Sequence, residues 1–248
     1  MAKSRIKVIV CANATAASMH VASVIAGLVQ NRNRVNLGLA TGGTPVETYQ
    51  ELIHLYQTEG LDFSNVTTFN LDEYIGLDGD HAQSVRYFMQ ENLFAHVNLL
   101  PENTHVPSGV AADPESAADD YEATIRAAGK IDLQLLGIGH NGHIGFNEPG
   151  SDDESRTRVV DLTPQTIHSN ARFFGDNVRD VPKTAITMGI GTIKEAKEII
   201  LLATGKDKAD TIRKAVQGPY TEDHPASLLQ DHKNVTFVLD APAASKLM

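Results

Sequence analysis

Short apolar runs alternate along this chain with longer stretches of helical spacing. Val8 to Ala12 reads as a buried strand, and Ala16 to Gln30 follows with apolar positions at helical intervals. Val35 to Leu39 is the next strand, followed by the turn Ala40-Thr41-Gly42-Gly43-Thr44 and a helix from Pro45. Val66 to Leu71 predicts a third strand and Ser84 to Leu93 a helix. Asp113 and Pro114 form an N-cap and first-position pair that opens a helix to Ala128. Ile131 to Gly137 is another buried strand. Thr184 to Met188, Ile199 to Ala203 and Val235 to Leu239 complete the strands, with a helix over Lys206 to Val216 between the last two.

Strands alternating with helices predict a mostly parallel sheet covered on both faces. No internal repeat, low-complexity tract or Ser/Gly linker divides the sequence, so residues 1–248 are expected to form a single α/β domain, a three-layer α/β/α sandwich. Such sheets bind ligands at the carboxyl ends of their strands. The most polar and glycine-rich loops here all follow strands, so they are expected to share one cleft.

Composition narrows the function classes. Hydrophobic residues make up 42% and charged residues 21%, both ordinary for a globular chain. A formal net charge of -10 disfavours nucleic acid and anionic membrane as partners, while leaving room for a small anion held by local donors. Cys11 is the single cysteine, so no intrachain disulfide can form, which fits a reducing cytoplasm. The apolar run after Met1-Ala2-Lys3-Ser4-Arg5 is too short for a signal peptide. No stretch reaches the ~20 apolar residues of a membrane helix. A cytoplasmic protein is expected.

Three loops carry candidate chemistry. The first is Leu37-Gly38-Leu39-Ala40-Thr41-Gly42-Gly43-Thr44-Pro45. Thr44 is placed to cap the following helix, and Glu47 completes a Thr-x-x-Glu capping box. Adjacent glycines let backbone N–H groups turn toward an anion at a helix N-terminus. The pattern is neither a Walker sequence nor a dinucleotide fingerprint, and a glycine turn without a ligand is the alternative.

The second loop, Phe69-Asn70-Leu71-Asp72-Glu73-Tyr74, puts two acids just past a buried strand. Partial desolvation there raises a carboxylate toward the range useful for a general base. In an extended segment the two acids point to opposite sides, so one faces the cleft. The alternative is a pair of solvated acids, or one that caps the next element.

The third, Gly137-Ile138-Gly139-His140-Asn141-Gly142-His143-Ile144-Gly145-Phe146-Asn147-Glu148-Pro149-Gly150, is the densest polar segment. His143 suits proton transfer, with Glu148 as its orienter or a second acid. Metal binding through His140, His143 and Glu148, or plain satisfaction of loop polar groups, are the competing readings.

Taken together, these loops resemble those of the bacterial type of glucosamine-6-phosphate deaminases, and the likeness runs from about the first strand to the last. The resemblance implies a Rossmann-like fold of the deaminase and ribose-phosphate-isomerase type. It implies that Thr41, Gly42, Gly43 and Thr44 hold the substrate phosphate, with Arg172 and Lys208 as cationic ligands. Asp72 would be the base that moves the C2 proton to C1. His143 would open the sugar ring, and Glu148 would orient or recharge it. The substrate would be glucosamine 6-phosphate, the products fructose 6-phosphate and ammonia, with no metal or other cofactor.

Two departures stand out. Many members carry aspartate where this chain has Asn141, which hydrogen-bonds but brings no charge. A less basic His143, a shifted pH profile and retained activity are expected. Longer relatives form hexamers activated by N-acetylglucosamine 6-phosphate. Here Val160 stands where they tend to have a basic residue, although Ser151 and Arg158 remain, so weak allostery and a monomer are expected. The rival readings are a 6-phosphogluconolactonase, an isomerase for galactosamine 6-phosphate, and a sugar-phosphate sensor without turnover. Tyr74, His81 and Ser84 are candidate contacts near the second loop.

Overall fold

The apolar runs form, in the computed structural model, a seven-stranded parallel sheet with the order β1-β10-β9-β6-β2-β3-β5. The structure describes residues 6–247; residues 1–5 and 248, which the one-domain expectation includes, lie outside the described residues. The strands are β1 Lys7–Cys11, β2 Val35–Leu39, β3 Val66–Asn70, β5 Thr104–His105, β6 Leu133–Leu136, β9 Ile199–Ala203 and β10 Val235–Asp240. A second, antiparallel sheet joins β4 Asp72–Tyr74, β8 Thr184–Thr187 and β7 Arg158–Asp161 in the order β4-β8-β7.

Side chains alternate along each strand and so build two cores. Leu37, Leu39, Leu133, Leu135, Ile200 and Val238 pack toward α1 Ala14–Gln30, α2 Val46–Glu59 and α3 Val85–Asn92. On the other face, Phe69, Leu136, Leu201 and Phe237 meet α4 Pro114–Ala128, α6 Ile190–Lys194, α7 Ala209–Gln217 and α8 Ala241–Ala244. The helix α5 Pro164–Asn170 lies outside these layers and packs on the small sheet through Ile167. The expected three-layer α/β/α arrangement is what forms. Among the described residues no helix is long and apolar enough to cross a membrane.

Helix starts follow their capping residues. Asn13 accepts from the Ala16 N–H (2.8 Å) and starts α1 two residues before the expected Ala16. Asp113 accepts from Glu115 and Ser116 with Pro114 in first position, as its sequence predicts. The expected cap at Thr44 does not form. The α2 helix begins at Val46, and Pro45 stands at its cap position with helical backbone and no side-chain hydrogen bond.

Two strand expectations are also corrected. Residues 7–11 form an edge strand, paired among the described residues only with β10, and Val10 is 55% exposed rather than buried. Thr184–Thr187 belongs to the small antiparallel sheet and not to the main one. That small sheet is tied to the main body by Glu122 of α4. Its buried carboxylate accepts from the Thr157 N–H (3.0 Å) and hydroxyl (2.6 Å), from the Thr192 hydroxyl, and from the Arg156 guanidinium (2.7 Å).

The strand order sets the position of the cleft. From β2 the chain builds outward through β3 to β5, and then returns to lay β6 on the other side of β2. The direction of building reverses between β2 and β6, and a crevice opens at the carboxyl ends of the strands there.

Candidate active site

A cleft of about 480 Å³ lies at that crevice. The loops after β2, β3 and β6 all open into it. Of the residues expected at the site, Thr41, Gly42, Gly43, Thr44, Asp72, Asn141, His143, Arg172 and Lys208 line the cleft. Glu148 does not. It is buried behind the wall, 8% exposed, and meets the cleft through Asn141, through Thr166 and through His143, whose Nδ1 lies 3.6 Å from Glu148 Oε2.

Asp72 is the first residue of β4, paired in register with Thr187. Burial, and then the neighbouring Glu73 charge, push its carboxyl up to about 7. Glu73 points the other way. Its carboxylate accepts from the N–H groups of Tyr74 (2.9 Å), Val85 (3.0 Å) and Arg86 (3.2 Å), and so fastens the start of α3 to β4. One acid faces the cleft and the other caps the next element, as an extended segment requires.

The third loop builds a directed relay. Asn141 Nδ2 donates to Glu148 Oε2 (2.7 Å), and Asn141 Oδ1 lies 2.8 Å from His143 Nδ1. A carboxylate can only accept, so the amide nitrogen must face Glu148 and the amide oxygen must face His143. An amide oxygen also only accepts, so His143 Nδ1 carries the hydrogen. Nε2 is left with its lone pair, the tautomer of a general base. Burial lowers the imidazole pKa; Glu148 pulls it up, while Lys208 and His140 push it further down. The ring is therefore neutral near pH 7.

Two cations also line the cleft, Arg172 and Lys208. Burial lowers the Lys208 ammonium pKa, Asp207 opposes this, and Arg172 adds to it. Lys208 Nζ donates to the Ile138 carbonyl (3.0 Å), while the Arg172 guanidinium sits 4.6 Å from the centre of the Phe173 ring. Gly42, in the cleft-lining loop that leads into α2, adopts φ +97°, a conformation that glycine takes readily. A helix start without a side-chain cap, beside two mutually repelling cations, is suited to a dianion such as a phosphate monoester.

His140 takes no part in the relay; it faces Asp207 at 3.7 Å and is exposed. Among the described residues no group of three His, Cys, Asp or Glu side chains could hold a metal ion. Ser84 and Tyr74 line the cleft, but His81 does not: its Nδ1 accepts from the Gln83 N–H (3.1 Å) on the exposed loop. Arg158 donates to Asn147 Oδ1 (2.9 Å), with Ser151 Oγ at 3.5 Å.

Sequence reasoning missed the groups, among them the cleft-lining Thr166, that hold the other oxygen of Glu148. Its Oε1 accepts from the hydroxyls of Thr163 (3.2 Å) and Thr166. Thr163 caps α5 with Pro164 in first position, a helix-start signature readable in the sequence. Also missed was His224, whose ring fills the space beside Gly142.

Comparison with known proteins gives concordant results. The family model described as glucosamine-6-phosphate isomerases/6-phosphogluconolactonase matches residues 11–238. Glucosamine-6-phosphate deaminase 2 of Bacillus subtilis (strain 168) is 55% identical over 227 residues, 91% of this chain and 91% of the relative. The solved structure of a monomeric glucosamine-6-phosphate deaminase superposes with a TM-score of 0.95 at 46% identity, over 97% of this chain and 100% of that one. A 6-phosphogluconolactonase from Trypanosoma cruzi shares the fold, with a TM-score of 0.78 at 24% identity over 99% of this chain and 98% of that one.

Proposed function

The chain belongs to the family of glucosamine-6-phosphate isomerases and 6-phosphogluconolactonases, and from this premise we infer that it is a glucosamine-6-phosphate deaminase. It converts glucosamine 6-phosphate to fructose 6-phosphate and ammonia. The observation that carries this reading is a cleft with a carboxyl group poised near neutrality on one wall and a histidine relay on another. Aldose-to-ketose conversion needs a base at carbon and a separate group for the ring oxygen.

The phosphate is held by Thr41 to Thr44, Arg172 and Lys208, which leaves the sugar extended toward Asp72 and His143. His143 Nε2 takes the proton of the C1 hydroxyl and delivers one to the ring oxygen, so the C1–O5 bond opens to the aldehyde. Asp72 removes the C2 proton and gives an enolamine, then returns that proton to C1. The product is an imine at C2. Water adds to it, ammonia leaves, and fructose 6-phosphate remains. Removal of a weakly acidic C–H proton gains from a raised carboxyl pKa in a partly dry site.

The pairing of β1 with β10, near opposite ends of the chain, supports a single domain over residues 1–248. The likeness to a deaminase described as monomeric supports a monomer. Val160 in β7, in place of a basic residue, supports a weak response to effectors.

Ammonia release from purified protein tests the assignment, with glucosamine 6-phosphate, galactosamine 6-phosphate and 6-phosphogluconolactone supplied in parallel. Ammonia from the first substrate is the expected outcome. Acid release from the lactone alone would replace it with the lactonase reading, and binding without turnover with that of a sensor.

A further inference from the structure

The two oxygens of the Glu148 carboxylate are equivalent acceptors, so the relay depends on the tilt of the carboxylate plane about the Cγ–Cδ bond and not on which oxygen is used. The oxygen that meets Asn141 Nδ2 is Oε2, at 2.7 Å. What opposes rotation is found on Oε1. The hydroxyls of Thr163 (3.2 Å) and Thr166 both donate there, and Thr166 is buried. Thr163 Oγ1 also accepts from the Thr166 N–H (3.2 Å), so the two hydroxyls are fixed by the first turn of α5.

The same helical stretch continues without a break through residues 171–173 and carries Arg172 into the cleft. One continuous segment therefore grips Glu148 at its start and offers a guanidinium at its end.

We propose that Thr166 is a positioning residue, whose hydroxyl locks the Glu148 carboxylate and through it the Asn141 amide and the His143 tautomer. The inference rests on the deaminase reading and extends it. Without the Thr166 hydroxyl only the longer Thr163 bond is left on Oε1, the carboxylate plane tilts, and the bond from Asn141 Nδ2 is lost. The amide is then free to flip and present N–H to His143 Nδ1. That nitrogen must now accept, the ring hydrogen moves to Nε2, and the lone pair facing the substrate is gone. Because Arg172 is on the same segment, contact with the substrate phosphate steadies this arrangement from a distance. Binding energy at the non-reacting end of the sugar is thereby spent on geometry at the reacting end.

The test compares Thr166→Val, Thr166→Ala and Thr166→Ser by steady-state ammonia release from glucosamine 6-phosphate, with folding checked by thermal melting. Val and Ala remove the hydroxyl, while Ser keeps it and loses only the methyl. We expect kcat to fall about 10-fold or more in T166V and T166A with KM little changed, as for loss of a hydrogen bond to a charged group. T166S recovers most of the rate. In an E148Q background the T166V substitution adds little, because the two act as one unit.

Equal damage in T166S and T166A would assign the effect to packing and overturn the proposal. So would an undiminished kcat in T166V, a loss confined to KM, or a full additional loss on top of E148Q. A wild-type chain that releases no ammonia overturns the deaminase reading itself, and this inference with it.

Discussion

The imidazole of His143 occupies the space in which Gly139 would otherwise carry a side chain. A Cβ at position 139 would stand 2.1 Å from His143 Cε1 and 2.3 Å from Nδ1. The Gly139 N–H also donates to the His143 carbonyl at 2.9 Å, so the loop closes on itself around the ring. Gly139→Ala therefore displaces the imidazole from Asn141 while leaving the sheet and its helices in place. We expect kcat to fall about 100-fold, the scale of an ångström-sized misplacement of a catalytic group. Thermal melting and kcat measured on the same preparation check this, since a folded but slow enzyme is the required result.

Asp72→Asn separates catalysis from stability. The amide cannot take a proton from carbon, and we expect kcat to fall by about 10²-fold or more. Its effect on stability has the opposite sign. Between the ordinary value of 3.8 and the folded value of about 7, the folded protein keeps a proton that the unfolded chain has given up. Stability then falls as pH rises through that window, and the whole loss is present at pH 8. The asparagine variant escapes this, so its melting temperature exceeds that of the wild type at pH 8, by roughly 5 °C or more. The gap narrows toward pH 5. Melting curves at the two pH values decide it.

In its proposed role as the base, the same carboxyl group is expected to set the acid limb of the rate profile. Asp72 works as a base only when ionised, so kcat/KM falls as pH drops below about 7. Asn141→Asp places a negative charge beside His143 Nδ1 and next to Glu148, and so raises the pKa of the imidazole. Once the imidazole pKa passes that of Asp72, the histidine becomes the group that limits the acid side, and the acid limb moves to higher pH with activity retained on the alkaline side. A slower N141D enzyme with an unmoved profile would count against the relay.

Glu122 predicts a purely structural effect. Burial opposes its ionisation, but hydrogen bonds from Thr157 and Thr192 and the Arg156 guanidinium outweigh that and hold its pKa below the 4.5 of a free glutamate. Its contribution is present above that value and lost as pH falls through the folded one. Glu122→Gln is expected to destabilise the protein by about 2–4 kcal/mol at pH 7. The difference from wild type shrinks in strong acid. Urea denaturation at pH 7 and pH 3 measures both.

Much of the lining of the candidate cleft was readable because its parts lie in contiguous loops. The glycine turn at 41–44, the acid at 72 and the His143 to Glu148 run each follow a strand of the main sheet, and the sheet brings them together. The rest needed spatial partners. Residues 7–11 read as a buried strand from their apolar run, and what makes them an edge is that among the described residues they have one strand neighbour. The small sheet has strands of three and four residues, too short for alternation to show. Thr44 fits every rule for a cap, yet the chain enters the helix one residue later, where no side chain occupies the N–H groups. Thr166 lies 18 residues from Glu148 in sequence, with nothing in the intervening pattern to join them.

Leu71 sits at the seam of the two sheets. Its N–H donates to Leu39 of the large sheet (3.2 Å), and its carbonyl accepts from Met188 beside the small one (2.7 Å). The loop proposed to hold the phosphate leaves the large sheet at residue 40, whereas the carboxyl proposed to abstract the proton rides on the small sheet one residue beyond Leu71. The reach from anchored phosphate to reactive carbon is thus a ruler whose two marks belong to different slabs. Insertions that tilt the three-stranded slab would lengthen or shorten that ruler without touching a single substrate contact, and so retune the enzyme to sugars of another chain length.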